Sequence, residues 1–176
     1  MLRLCRTERH GYHRVMDHVA TDEVIRIARE LFAEAYKGPK AEWTWFANAE
    51  PDSGVLGSIQ GLTAEQASRA VTPGSPTIAA HVEHLRWSLA AVNRTIRGEP
   101  WNPDWSESWA VRTVDEAQWR ELQANLRQEV DTLIAALDAG PPVTDPNMLQ
   151  GLFALAPHAA HHLGAIRQMA RLVNAE

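Results

Sequence analysis

Apolar residues in this chain recur at the spacing of an α-helix, in four long stretches, and no segment alternates convincingly as a strand would. The first stretch, about 21–36, carries Val24, Ile27, Ala28, Leu31 and Phe32 on one face; Thr21 or Asp22 can cap it and Gly38-Pro39 stops it. The second, about 77–97, has Ile78, Val82, Leu85, Leu89, Val92 and Ile96. The third, about 114–139, follows a capping-box pattern at Thr113–Glu116, points Trp119, Leu122, Leu126, Val130, Leu133 and Leu137 inward, and ends at Gly140-Pro141-Pro142. The fourth, about 146–173, starts at the cap-like pair Asp145-Pro146 and holds Pro157 inside, where a kink is expected. A second capping box, Thr63–Gln66, opens a short helix at about 64–70. The fold class is therefore all-α, a four-helix bundle. The connections at 39–62 and 99–112 are longer than an up-and-down bundle needs, so crossovers are expected. Both connections carry tryptophans: Trp43 and Trp45 in one, Trp101, Trp105 and Trp109 in the other.

At 176 residues the chain is expected to form one domain, at 21–176, with residues 1–20 as a flexible, basic N-terminal extension. The formal charge of −5 argues against nucleic acid as a partner, and no apolar run approaches the roughly 20 residues of a membrane span. Cys5 is the only cysteine, which excludes an internal disulfide and makes a cytoplasmic setting the default. Seven tryptophans are many for this length and suit pocket walls and interfaces.

The residues with chemistry to offer are histidines. His158 and His162 lie one helical turn apart, on the face that also carries Leu155, Ala165, Ile166, Met169 and Leu172. That face is apolar, so both imidazoles should look into a core. A histidine pair at this spacing is by itself more often structural than metal-binding. The weight changes because the second long stretch offers His81 and His84. Two ligands from one helix and one from another make a three-ligand metal site with an open position. Periodicity favours His81 as the inward member, at the edge of its stripe, with His84 further round near Ala80 and Ala91. His161 sits to one side of the fourth helix, and His10 and His13 lie in the expected extension.

Thr77-Ile-Ala-Ala-His-Val-Glu-His84-Leu85, followed by His158-Ala-Ala-His-His162-Leu-Gly164-Ala-Ile-Arg-Gln168, resembles the DinB/YfiT-like superfamily over about residues 22–173. The fourth-helix motif is the more specific half. The resemblance implies an up-down-down-up bundle, often a homodimer, with one divalent metal held by one histidine of the second helix and two of the fourth. By motif position these are His84, His158 and His162, with His81 as the alternative to His84; His161 falls at a variable position, and Pro157 is not part of the pattern. Better-understood relatives are transferases and isomerases that use low-molecular-weight thiols such as bacillithiol, mycothiol or glutathione. The implied function is a metal-dependent enzyme that activates a thiol cosubstrate or water, most simply an S-transferase acting on a small-molecule substrate. The alternative is a non-catalytic metal or small-ligand binding module. Zinc is the first choice of metal, with nickel and iron also suited to imidazole. The tryptophan loops are expected to wall the pocket. Cys5, in the extension, is a poor nucleophile, and Glu83, Arg86 and Arg167 read equally well as solvated helix charges.

Overall fold

The helical periodicity is realised in six α-helices of the computed structural model, which describes residues 19–40, 42–100, 102, 104–141 and 146–174. They are α1 (Thr21–Lys37), α2 (Val55–Gln60), α3 (Ala64–Ser68), α4 (Ile78–Ile96), α5 (Glu116–Asp138) and α6 (Pro146–Asn174), with a 3₁₀ helix at Trp105–Trp109. Among the described residues there is no strand. The four long helices match the four periodic stretches to within two residues at each end. The expected extension falls largely outside the described residues, as do His10, His13, Trp101 and the Asp145 cap.

The long helices share one core. α5 buries all six residues of its stripe, from Trp119 to Leu137, together with Ile134. Each fully buried Leu, Ile or Val contributes roughly 1.5–3 kcal/mol relative to exposure. α5 packs on α4 and α1, and α6 packs on the same two helices. The indole N–H of Trp119 donates to the Leu62 carbonyl at 2.7 Å, so the largest core side chain has its polar atom satisfied. Across α1 and α5, Arg29 grips Asp138 through two N–H donors at 2.8 and 3.0 Å, and Lys37 meets Asp131 at 2.6 Å. Each pair keeps an exposed carboxylate and is worth at most about 1 kcal/mol.

Four local expectations are corrected. α1 turns Ile25, Ala28, Phe32 and Tyr36 inward, and Ile27 is 39% exposed. The 39–62 connection folds back along α1: α2 packs on that helix, and Ile27 and Leu31 line a groove together with Trp43 and Trp45. α1 also has no side-chain cap; Ala20 holds that position. The box that opens α5 is Asp115–Gln118, not Thr113–Glu116. On α6, Leu172 is exposed and Val173 is buried, because Val173 lies within about 20° of His162 around the helix whereas Leu172 lies about 80° away.

The 39–62 connection contains α2, which periodicity did not reveal, and it is held by a buried acid. Glu34 Oε1 accepts the backbone N–H groups of Trp45, Phe46 and Ala47 at 2.7, 2.7 and 3.1 Å. Arg167 ties the same segment to α6 through the Ser53 carbonyl and Asn48 Oδ1. Close backbone approach at its end demands glycine: a Cβ at Gly57 would lie 1.8 Å from the Asp52 carbonyl oxygen. Gly61 has no neighbour within 4 Å of such a Cβ and an ordinary φ of −91°. Gly57→Ala is expected to lower stability by roughly 1–3 kcal/mol in chemical denaturation, and Gly61→Ala to leave it nearly unchanged.

Candidate metal centre

α4 and α6 bring the histidines together. Thr77 caps α4 by accepting the Ala80 N–H at 3.2 Å, which fixes where the helix begins and hence which face His81 and His84 present. α6 runs through Pro157, which is exposed, and displays His158 and His162 one turn apart. His84 Nε2 lies 3.1 Å from His158 Nε2, and His162 Nε2 lies 3.2 Å from the same atom. One ring nitrogen from each of His84, His158 and His162 falls within 4.8 Å of the other two, close enough to hold a single metal ion.

The donor set fits a cation better than it fits protons. A neutral imidazole carries one N–H, so His158 Nε2 can make a proper hydrogen bond to only one of its two nitrogen neighbours. The other contact is then left without a proton of its own to fill it. Four-coordinate zinc, with Zn–N bonds of about 2.0–2.1 Å, separates its nitrogen ligands by about 3.3 Å, close to the spacings seen. The described hydrogen bonds of these rings run to one another, to His81 and to Ser108, and no described carboxylate joins them.

His81 is inward as well, but not in the triangle. It is 9% exposed, and its Nδ1 stands 2.8 Å from Nδ1 of His162, the nitrogen that faces away from the cluster of Nε2 atoms. The burial that periodicity expected of His81 is therefore seen, and His84 is the α4 histidine whose Nε2 meets that of His158. His161 is exposed and touches His162 only with its ring, centroids 5.1 Å apart. Glu83 and Arg86 pair with each other at 2.6 and 2.7 Å and line a small cavity against α5, away from the histidines.

Of the tryptophans, the 3₁₀ helix contributes one to the site. Trp109 stacks on His84 with centroids 4.3 Å apart and planes 19° from parallel, and meets His81 edge-on at 5.3 Å. Trp105 packs against Trp87 at 4.9 Å. Trp43 and Trp45 are 73% and 68% exposed and line a groove over α1 instead. Ser108, fully buried, hydrogen-bonds His84 Nδ1 at 2.9 Å; nothing in its spacing had marked it.

Burial keeps the rings uncharged. It lowers His81 and His84 to about 4 and His162 to about 3, and lowers His158 too, with the neighbouring imidazoles adding to each shift. Neutral imidazole is the form that binds a metal. In the metal-free protein the unfolded chain gains protons near pH 6.5 while these rings do not. That stability is fully present above about pH 6.5 and is lost as pH falls towards 4 and then 3. The denaturation midpoint of the metal-free protein should therefore fall between pH 7 and pH 5, and fall less steeply in His162→Leu.

No curated protein and no solved structure matches the chain. Residues 54–166 match the sequence profile of the DinB superfamily, a span that takes in α2 to α5 and the α6 segment bearing His158 and His162. By that match over most of its length, the all-helical chain belongs to the DinB superfamily.

Proposed function

We propose that the protein is a metal-dependent enzyme whose ion is held by His84, His158 and His162. The observation that carries this reading is the convergence of three uncharged imidazole nitrogens on one point, with no described carboxylate to satisfy them. Zinc is the simplest occupant, with nickel and iron as alternatives. A divalent ion there would supply Lewis acidity, lowering the pKa of a thiol or water placed beside it. Three neutral ligands leave the ion's charge uncompensated, which makes that effect large.

The chain's own residues hold and shield. His162, 4% exposed, and Trp109, stacked over His84, keep water from the α4 side of the cluster. No described carboxylate stands in hydrogen-bond contact with the three rings to act as a general base, so a nucleophile that would ionise beside the metal itself suits the site, a thiol cosubstrate or water. A low-molecular-weight thiol is such a nucleophile, and transfer of its sulfur to a small electrophile is the reaction we favour. The same lack of a base is what supports the second reading, a metal or small-ligand binding module without turnover.

We place this function on an up-down-down-up bundle in the cytoplasm, and we propose a homodimer built on the exposed apolar side chains Ile27, Trp43 and Trp45, which line one groove. No described helix is long and apolar enough to cross a membrane. Light scattering at the mass of two chains supports the dimer, and the mass of one chain removes it.

The functional test has two stages. Protein purified without a metal-affinity tag is expected to hold about one ion per chain, and the triple variant His84→Ala, His158→Ala, His162→Ala none. Metal-loaded protein is then expected to join a thiol from a panel of low-molecular-weight thiols to a model electrophile, with at least a hundredfold loss in the triple variant. A loaded protein inert to every thiol selects the binding module, and a folded parent that takes up no metal ends both readings.

A further inference from the structure

Two hydrogen bonds, one buried and one partly buried, each reach the far nitrogen of a cluster histidine, and proton counting decides what they do. Ser108 has one hydroxyl proton. Its Oγ stands 2.7 Å from the Trp105 carbonyl oxygen, which can only accept, so the proton goes there. Towards His84 Nδ1, at 2.9 Å, Oγ must then accept. His84 therefore carries its proton on Nδ1, and its Nε2, facing His158, is left with a lone pair. The other bond joins Nδ1 of His81 to Nδ1 of His162 at 2.8 Å, and it needs one proton between two nitrogens. If the proton is on His162, the Nε2 atom facing His158 is again bare.

We propose that Ser108 and His81 are positioning residues that hold His84 and His162 as their Nδ1–H tautomers, aiming both Nε2 lone pairs at the point shared with His158. The His81 half rests on the metal-site reading above; the Ser108 half follows from the hydrogen bonds alone. Ligating histidines are commonly fixed in this way by an acceptor on the second nitrogen, which sets both ring orientation and basicity. Here the acceptors are a hydroxyl and a neutral imidazole, so the site keeps its lack of negative charge.

The second tryptophan-bearing connection thereby gains a purpose. Asp104 caps the 3₁₀ helix by accepting the Ser106 N–H at 2.9 Å and its hydroxyl at 2.6 Å. The turn so fixed places the acceptor Ser108 and the stacking ring Trp109 on the two sides of one imidazole, edge and face. His81 is likewise locked, between Trp109 and His162.

The test uses the full chain and Co²⁺ as the probe, whose visible absorption reports ligand geometry. Ser108→Ala and His81→Leu are each expected to weaken Co²⁺ binding about tenfold or more and to alter the spectrum. Ser108→Thr keeps the hydroxyl, and His81→Asn keeps an acceptor near the Nδ1 position; both are expected to recover most of the affinity. Nitrogen-15 spectra of the metal-free protein are expected to show His84 with its proton on Nδ1, and a mixture of tautomers in Ser108→Ala. Co²⁺ affinity and spectra unchanged in Ser108→Ala and His81→Leu would overturn the proposal, as would a proton on His84 Nε2 in the metal-free parent. Should the parent fail to bind Co²⁺ at all, the metal reading and the His81 half fall together, while the nitrogen-15 result still decides the Ser108 half.

Discussion

Three imidazole nitrogens that meet at one point cannot all be satisfied by protons. Neutral imidazole has one N–H and one lone pair, and His158 Nε2 faces two other Nε2 atoms at hydrogen-bond distance. Protonating the rings to remove the lone pairs would put like charges together in a desolvated place, and burial pushes the other way. A single cation resolves the conflict. Much else near the site serves to bring these rings together and keep them neutral: the Thr77 cap that phases α4, the unbroken run of α6 past Pro157, and the 3₁₀ helix that covers His84.

A core built by α5 makes this arrangement affordable. Buried Leu, Val and Trp residues on α5 support α4 and α1, and α6 closes on the same pair. Each described hydrogen bond of the cluster's rings reaches a nitrogen or the Ser108 hydroxyl, and what the cluster lacks is protons to fill those contacts. The Glu34 nest, at another point of the fold, is the contrast. There a buried carboxylate takes up three backbone N–H groups that a folded-back connection would otherwise leave without partners.

Much of this was legible in the amino-acid sequence, and the failures have physical causes. The long helices show because an apolar stripe is a one-dimensional signal. His158 and His162 show for the same reason, being one turn apart on such a stripe. The face of α1 was misjudged in part because, besides α5 and α6, one of its partners is a connection with no period of its own, in which α2 is too short to register. The choice between His81 and His84 lay beyond periodicity, since both rings are inward and they differ in which nitrogen of which neighbour they meet. Ser108 was invisible because what it does is set by a turn 24 residues from His84 in the chain. The tryptophans divided for a related reason: Trp109 is carried to the histidines by the 3₁₀ helix, whereas Trp43 and Trp45 are carried to α1.

The most direct test of the central claim is X-ray absorption at the metal edge of the zinc-loaded protein. The account predicts three imidazole nitrogens at about 2.0–2.1 Å, with one lost in each of His84→Ala, His158→Ala and His162→Ala and none lost in His161→Ala. An imidazole shell that survives unchanged in His84→Ala, or a zinc ion coordinated without these three rings, would contradict it.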